Sequence, residues 1–330
     1  MNKQVGSSFD DFLKEEGILK ECEAIACKRE FLFQLEKDRV LTGKDLDAGL
    51  TRFLLGFFKK AFIADTLAIH VVDPVFSDPG QFNQGTLWLA LLAWGFQVYA
   101  DFSGYSNMAI GSARILGFRI PENFLFPHLA VNFSDIWRRW HQTMTRFFRD
   151  YVYIALGGNR GGLAKTIRNL TATTVLSGLW HGASWNFVAF GISHGVAIGI
   201  YQIWRHYKRK HGWGWKRHPI PGALIGWLLT HAAWCVPLVV FRASDLPTSW
   251  SYMVWLFGKT GETLPALPVF VWIALASVVV DHIAGWLLER DPELPEKIPV
   301  FAKGVTFAAM IIFLYTAVPR AVNPFIYFQF

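Results

Sequence analysis

Two histidines occupy positions where an apolar, membrane-like sequence would be expected to avoid titratable side chains. His181 lies in SGLWHGASWNF, residues 177–187, with one glycine three residues before it and another directly after it. His141 lies in NFSDIWRRWHQTMTRFFRDY, residues 132–151. A neutral imidazole can take the proton of a hydroxyl group, which is the commonest catalytic use of histidine. These two histidines are therefore the candidate catalytic residues.

The glycines beside His181 predict a weakened helix at that point. Residues 171–179 are apolar enough to be helical, and Gly178 and Gly182 would loosen the backbone around the histidine. Irregular backbone at membrane depth needs protein or a wet cavity around it, and an ionisable group there is a candidate functional group. The alternatives are a helix break with a hydrogen-bonded ring, or a metal site. No nearby carboxylate or cysteine has ligand spacing, so no metal site is predicted.

The segment that carries His141 predicts one amphipathic helix, capped at its start by Ser134 or Asp135. Its apolar side comprises Trp137, Trp140, His141, Met144, Phe148 and Tyr151. Its polar side comprises Arg138, Arg139, Gln142, Arg146 and Arg149. The four arginines could bind an anionic ligand, through phosphate groups for example, or lipid head groups. Since His141 lies on the apolar side, the alternative to catalysis is a core histidine bonded to a neighbouring carbonyl group.

Four further residues are candidates for positioning the reacting groups. His194, in GISHG, follows His181 by 13 residues and could face the same cavity. Asp101 ends an apolar block, where its carboxylate could orient a helix or a histidine, or cap a helix end. Trp140 and Trp180 directly precede the two candidate catalytic histidines. These tryptophans, with Trp137 and Trp185, could line a passage, or could serve membrane-interface anchoring and packing.

Long apolar blocks predict an all-α protein with several membrane-embedded helices. The chain of 330 residues is 52% hydrophobic and has a mean hydropathy of +0.27. Blocks of about 20 residues can cross a bilayer as helices. The blocks span residues 86–100, 184–204, 220–241, 267–288 and 303–319, with less pure segments at 46–72 and 101–118. We expect roughly seven to nine embedded helices and one membrane domain over residues 41–330.

The charge distribution predicts contact with a membrane surface. The net charge is +7, and the basic residues cluster in short segments between the apolar blocks, above all in residues 205–217. This pattern places the 205–218 loop in the cytoplasm, indicates contact with anionic lipids, and argues against nucleic-acid binding. The polar residues 1–40 predict a cytoplasmic or interfacial segment. The three cysteines have no spacing typical of a metal or disulfide framework.

Several stretches, in this order along the chain, resemble the membrane-bound O-acyltransferases. They are residues 99–124 (YADFSGYSNMAIGSARILGFRIPENF), 134–160, 176–195, 239–245 (VVFRASD) and the terminal PFIYFQF at 324–330. The closest branch is that of the bacterial alginate O-acetylation membrane proteins. The resemblance implies a ring of helices around a central funnel, a most constant histidine at the position of His181, and a second functional histidine at the position of His141.

The resemblance also implies an activity and its setting. It implies an acyltransferase that moves an acyl group, an acetyl group in this branch, from a cytoplasmic thioester such as acetyl-CoA to a hydroxyl acceptor outside. No bound cofactor is expected. The implied acceptor is a polysaccharide of the alginate type, with peptidoglycan, cellulose and teichoic acids as acceptors in related branches. The expected partners are membrane lipids and a periplasmic acetyltransferase protein, and the expected location is the bacterial inner membrane.

The N-terminus departs from the family pattern. Members usually begin with several more membrane helices before the region that corresponds to residues 28–40, whereas this chain starts with a charged stretch. The resemblance therefore predicts a chain that is truncated or misassigned at its start. Two other functions stay open beside the enzyme: an inactive membrane scaffold, and a transporter, although the paired repeat of broken helices that a transporter predicts is not evident.

Overall fold

Helices form most of the part of the chain that the structure describes. The computed structural model describes residues 41–212 and 219–317. The predicted N-terminal segment 1–40, part of the basic loop (213–218) and the terminal PFIYFQF lie outside the described residues. Within the described ranges there is no β-strand, only a backbone bridge between Phe82 and Glu262. The all-α fold predicted from the sequence is confirmed.

Thirteen α-helices follow one another along the described ranges. They are α1 (Gly43–Phe58), α2 (Asp65–Leu67), α3 (Asp73–Ser77), α4 (Gln84–Ile115), α5 (Phe133–Arg139), α6 (Gln142–Phe148), α7 (Leu163–His181), α8 (Trp185–Lys210), α9 (Pro219–Arg242), α10 (Leu246–Trp255), α11 (Val269–Arg290), α12 (Leu294–Lys297) and α13 (Val300–Ala317). π-Helical segments occupy Lys59–Ala64, Ala68–Val72 and Arg149–Tyr153, and short 3₁₀ turns occupy Pro79–Gln81 and Pro127–Leu129.

Four of the described helices are long and apolar enough to cross a membrane. They comprise α8, residues Gly222–Arg242 of α9, α11 and α13. This number is below the seven to nine embedded helices expected from the sequence. One reason is that the blocks 86–100 and 101–118 are not separate, because α4 runs without a break from Gln84 to Ile115. The α8 helix also extends to Lys210 and so takes in the first residues of the predicted basic loop.

Small residues let the helix pairs approach closely. Gly56 of α1 faces Gly104 of α4, and a Cβ atom built on Gly56 would lie 2.5 Å from the carbonyl oxygen of Gly104. A Cβ atom on Gly178 of α7 would lie 2.1 Å from the carbonyl oxygen of Phe187 in α8. Membrane helices commonly use glycine in this way, because packing rather than the hydrophobic effect holds them together. The contact at Gly178 fixes the position of α8, which forms one wall of the site described below.

Candidate active site

A small cavity lies where α4, α5, α6, α7, α8 and α9 meet. Its volume is about 40 Å³. Most of its wall is aromatic, contributed by Trp94, Trp137, Trp140, Phe190, Trp234 and Phe241. His141, His181 and His194 all line it. The structure therefore brings together three histidines that are separated by up to 53 positions in the sequence.

His141 lies at a break between two short helices. The predicted continuous helix 132–151 is wrong, because α5 ends at Arg139, α6 begins at Gln142, and His141 between them has a left-handed backbone with φ 42°. The start of α5 is capped by Asn132, whose side chain accepts from the Asp135 amide, rather than by Ser134 or Asp135. A left-handed non-glycine residue costs roughly 1–3 kcal/mol and typically marks a functional site.

The predicted apolar and polar faces of residues 132–151 are partly retained despite the helix break at His141. Trp140, His141, Met144 and Phe148 are buried, as the apolar stripe predicted, whereas Tyr151 is exposed. Gln142, assigned to the polar face, is also buried. The turn at His141 shifts the helical register before α6, which accounts for Gln142. The π-helical segment Arg149–Tyr153 shifts the register after α6, which accounts for Tyr151.

The ring of His141 has one bonded and one unbonded nitrogen. Nδ1 lies 3.1 Å from Oδ1 of Asn123. Nε2 is buried and has no hydrogen-bond partner in the part of the chain that the structure describes. Burial lowers the pKa of His141 to about 3, and His181 adds to the effect. The imidazole is therefore neutral at neutral pH and keeps one lone pair for a ligand or a proton.

His181 is the last residue of α7. The helix continues through Gly178, so the predicted weakening before the histidine is wrong, whereas the backbone leaves the helix at Gly182, directly after the histidine, as predicted. Gly178 serves close packing against α8 instead, and a Cβ atom on Gly182 would lie 2.4 Å from the ring of Phe187. The half-buried His181 ring packs edge-on against Phe190 and Phe241. Because the glycines lack a Cβ atom, α8 and the ring of Phe187 can approach α7 closely, and the surrounding aromatic side chains hold the His181 ring at the cavity.

His194 lies deepest of the three histidines. Its side chain is 1% exposed, and neither ring nitrogen has a hydrogen-bond partner among the described residues. The ring packs edge-on against Phe190, Trp137 and Trp234, with centroid separations of 4.5, 4.8 and 5.0 Å. Buried polar atoms are almost always bonded, and an exception indicates a strained or functional group.

The tryptophans divide into wall residues and surface residues. Trp137 and Trp140 line the cavity. Trp180 is 56% exposed and lies beside the rings of His141 and His181, with centroid separations of 6.3 and 5.0 Å. Trp185 is 76% exposed and does not line the cavity. The passage-lining alternative therefore fits Trp137 and Trp140, and an anchoring role fits Trp185.

Asp101 lies in the middle of α4 and not at a helix end, which excludes the capping alternative. Its carboxylate pairs with Lys60 at 2.6 Å, and it does not line the cavity. Asp65 binds the same lysine at 2.9 Å. Asp101 therefore orients the π-helical segment Lys59–Ala64 against α4.

The four arginines are not equivalent. Arg139 pairs with Asp135 at 3.0 Å and with Glu289 of α11 at 2.5 Å, so it ties α5 to a distant helix. Arg149 pairs with its neighbour Asp150. Arg146 donates to Gln142 at 3.1 Å and is exposed, and Arg138 is exposed. Arg138 and Arg146 are therefore the members of the set most available to an anionic ligand.

Sequence reasoning overlooked several residues of the site. Asn123 holds His141, and Phe190, Trp234 and Phe241 form much of the wall. Asn123 was detectable in principle, as a polar residue between Glu122 and Phe124 in a segment of proline and aromatic residues. In the described ranges no group of three histidine, cysteine or acidic side chains is arranged to hold a metal ion.

The fold and the cavity define a class: a multi-pass helical membrane protein with neutral histidines around a buried cavity. The sequence model of MBOAT, the membrane-bound O-acyltransferase family, matches residues 24–240. The chain therefore belongs to the membrane-bound O-acyltransferase family. The match includes His141, His181 and His194, and it ends within α9, just before Phe241 of the cavity wall.

Individual relatives carry names that refer to different acceptors. The chain is 41% identical over 221 residues to the probable alginate O-acetylase AlgI of Azotobacter vinelandii, which covers 66% of this chain and 42% of that protein. It is 35% identical over 232 residues to the peptidoglycan O-acetyltransferase of Helicobacter pylori, covering 70% and 43%. It is 28% identical over 178 residues to the teichoic acid D-alanyltransferase of Bacillus subtilis, covering 51% and 44%. The chain thus spans less than half the length of these relatives.

Proposed function

We propose that this chain carries the catalytic centre of a membrane O-acyltransferase. The observation that carries the proposal is that His141 and His181 line one buried cavity in a protein of this family. A pair of titratable groups in a concave, largely apolar site is the usual arrangement for acid–base chemistry. His194 lines the same cavity and would support His181 through Phe190, which packs edge-on against both rings.

His181 takes the proton of the acceptor hydroxyl in the proposed reaction. The hydroxyl oxygen attacks the thioester carbonyl, a carbon–oxygen bond forms, and the carbon–sulfur bond breaks. The thiolate leaves and recovers the proton from the imidazolium. General-base assistance of this kind typically contributes roughly 10²–10⁴-fold to the rate. His141 either positions a reactant or stabilises the developing oxyanion.

The cavity favours a short acyl group. A volume of about 40 Å³ accommodates only a few water molecules. An acetyl group is of that size, whereas a fatty acyl chain exceeds this volume. The aromatic wall also limits the access of bulk water, which would otherwise compete with the hydroxyl for the thioester. Acetyl-CoA is therefore the proposed donor, and no bound cofactor takes part.

The proposed donor reaches the site from the cytoplasm, and the proposed acceptor lies on the other side of the inner membrane. Arg138 and Arg146 are exposed on the short helices next to His141, where they could bind the donor phosphates or lipid head groups. The relatives named for alginate and peptidoglycan acetylation support a polysaccharide acceptor. A periplasmic acetyltransferase protein is the proposed partner that completes the transfer.

A thioester-consumption assay tests the proposal. Inner-membrane vesicles that contain the protein and its neighbouring gene products are supplied with radiolabelled acetyl-CoA, and thiol release and polysaccharide labelling are measured. The variant His181→Gln should lose both, and the matched control His206→Gln, an exposed histidine on α8, should retain both. Equal labelling with and without His181 would refute the catalytic assignment and leave an inactive membrane scaffold. Solute flux without thiol release would instead indicate a transporter.

A further inference from the structure

A single buried amide organises the break that carries His141. Asn123 accepts three hydrogen bonds at Oδ1: the Thr143 amide at 3.3 Å, the Thr143 hydroxyl at 2.9 Å and the His141 ring nitrogen Nδ1 at 3.1 Å. The carbonyl oxygen of Asn123 accepts from the Gln142 amide at 2.9 Å. Its side-chain amide group donates to the hydroxyl of Ser106 in α4 at 3.1 Å. The bonds to His141, Gln142 and Thr143 hold the left-handed backbone of His141 in place.

The orientation of the Asn123 side chain follows from its partners. A backbone N–H group can only donate, so the atom that faces the Thr143 amide must be an acceptor. The reverse orientation would place the Asn123 NH₂ group against that N–H group and leave both donors without an acceptor. The hydrogen-bond network therefore assigns Oδ1 to the side of Thr143 and His141.

The proton of His141 follows from this orientation. Oδ1 can only accept, so the neutral ring must carry its proton on Nδ1. Nε2 then has a lone pair, and it is the buried nitrogen for which the described residues supply no partner. We propose that Asn123 is a positioning residue that fixes His141 as the Nδ1–H tautomer, so that Nε2 accepts protons or hydrogen bonds in the cavity.

This inference rests on the proposed function and decides between the two roles left for His141. An oxyanion requires a hydrogen-bond donor, and a neutral ring with a bare Nε2 offers none. His141 is therefore the residue that positions a reactant, by accepting a hydrogen bond at Nε2. His181 takes the proton of the hydroxyl, and protonation of His141 would remove the acceptor at Nε2. The proton returns to the departing thiolate, so no oxidant or further reactant is needed.

Two substitutions of similar size distinguish positioning from structure. Asn123→Asp keeps an acceptor opposite Nδ1 and should retain transfer. Its carboxylate favours the imidazolium, so the acid limb of the pH–rate profile should move to higher pH. Asn123→Leu removes the acceptor and should lower kcat roughly tenfold to hundredfold with little change in KM.

Ser106→Ala is the control, because it removes only the partner of the Asn123 NH₂ group and should leave the pH–rate profile unchanged. The other titratable groups that line the cavity are His181 and His194.

The tautomer itself can be measured without any assay of transfer. The protein labelled with ¹⁵N-histidine is reconstituted in lipid bilayers, and solid-state NMR identifies the protonated nitrogen of His141 by difference from His141→Gln. The expected spectrum has Nδ1 protonated in the wild type and in Asn123→Asp, and a changed tautomer population in Asn123→Leu. A wild-type ring protonated on Nε2 would overturn the inference even if acyl transfer is observed. A protonated Nδ1 in a protein without transfer would support it and refute only the proposed function.

Discussion

Two polar clusters lie inside the part of the protein that the structure describes, and only one of them is built from ion pairs. In the first, Lys59 pairs with Asp281 at 2.8 Å, and Tyr99 donates to the same carboxylate at 2.7 Å. Its second lysine, Lys60, binds both Asp101 and Asp65. In the second, the cavity, Nε2 of His141 and both nitrogens of His194 have no partner among the described residues. Charged groups at membrane depth are costly unless they are paired.

The comparison distinguishes buried polar groups that hold helices together from buried polar groups that can react with a substrate. The ion cluster joins the first helical run to α4 and α11, and each of its charges faces an opposite charge. Neutral histidines cost less to bury than charged side chains, and Nε2 of His141 keeps a lone pair that a reactant can use. Removing a member of the first cluster should therefore unfold the protein, and removing a member of the second should stop a reaction.

The largest expected effect is on the chemistry. His181→Gln should lower acyl transfer by roughly 10²–10⁴-fold, because the hydroxyl loses its base. The thermal midpoint in detergent should change little, since the half-buried ring is replaced by a side chain of similar length. Thiol release and calorimetry on the same preparation measure both quantities. A loss of activity that is matched by a large fall in the midpoint would erase the distinction between the two clusters.

A charge deletion should produce the opposite pattern. Lys59→Met leaves the half-buried Asp281 without its cation and with only the hydrogen bond from Tyr99, which should destabilise the fold by about 1–3 kcal/mol. The double variant Lys59→Met with Asp281→Leu should recover most of that loss, because it removes both charges together. Unfolding in increasing denaturant at fixed lipid content measures the difference. If the single and double variants are equally unstable, the pair contributes by packing and not by charge compensation.

A packing variant tests how the helix pair α7 and α8 supports the cavity. Gly178→Ala forces a methyl group against the carbonyl oxygen of Phe187, so it should destabilise the protein by about 1–3 kcal/mol. The shift of α7 should also displace His181 and lower transfer. Gly43→Ala is a suitable control, since nothing lies within 4 Å of its added Cβ atom. Gly212, in the turn after α8, is not suitable, because its φ of +61° would strain any residue with a side chain.

The smallest effects are expected at the basic surface. Arg138→Gln and Arg146→Gln should raise the KM for acetyl-CoA a few-fold and reduce its dependence on salt, because each removes one exposed charge from a screened contact. Arg139→Gln should act on stability instead, since Arg139 bridges Asp135 and Glu289. Initial rates at two salt concentrations measure the first effect. An unchanged KM in both exposed variants would indicate that these arginines bind lipid and not the donor.

Much of the fold was accessible from local patterns, and the site only in part. Apolar length placed the late helices α9, α11 and α13 correctly, because a bilayer requires about 20 apolar residues whatever the neighbours are. The same reasoning divided α4 in two, since polar residues such as Asp101 look like an end when their partner Lys60 is unknown. The break at His141 was missed because Asn123, 18 positions earlier, imposes it.

The sequence by itself determined a helical membrane protein with two histidines in unusual surroundings, because hydropathy and residue type are local properties. Only the tertiary structure decided that His141, His181 and His194 share a cavity, that Gly178 packs a helix pair, and which nitrogen of His141 carries the proton. The physical reason is that burial, close approach and tautomer each depend on a partner from another helix or loop. Such partners are selected by packing and by the pairing of buried polar atoms, which no local pattern encodes.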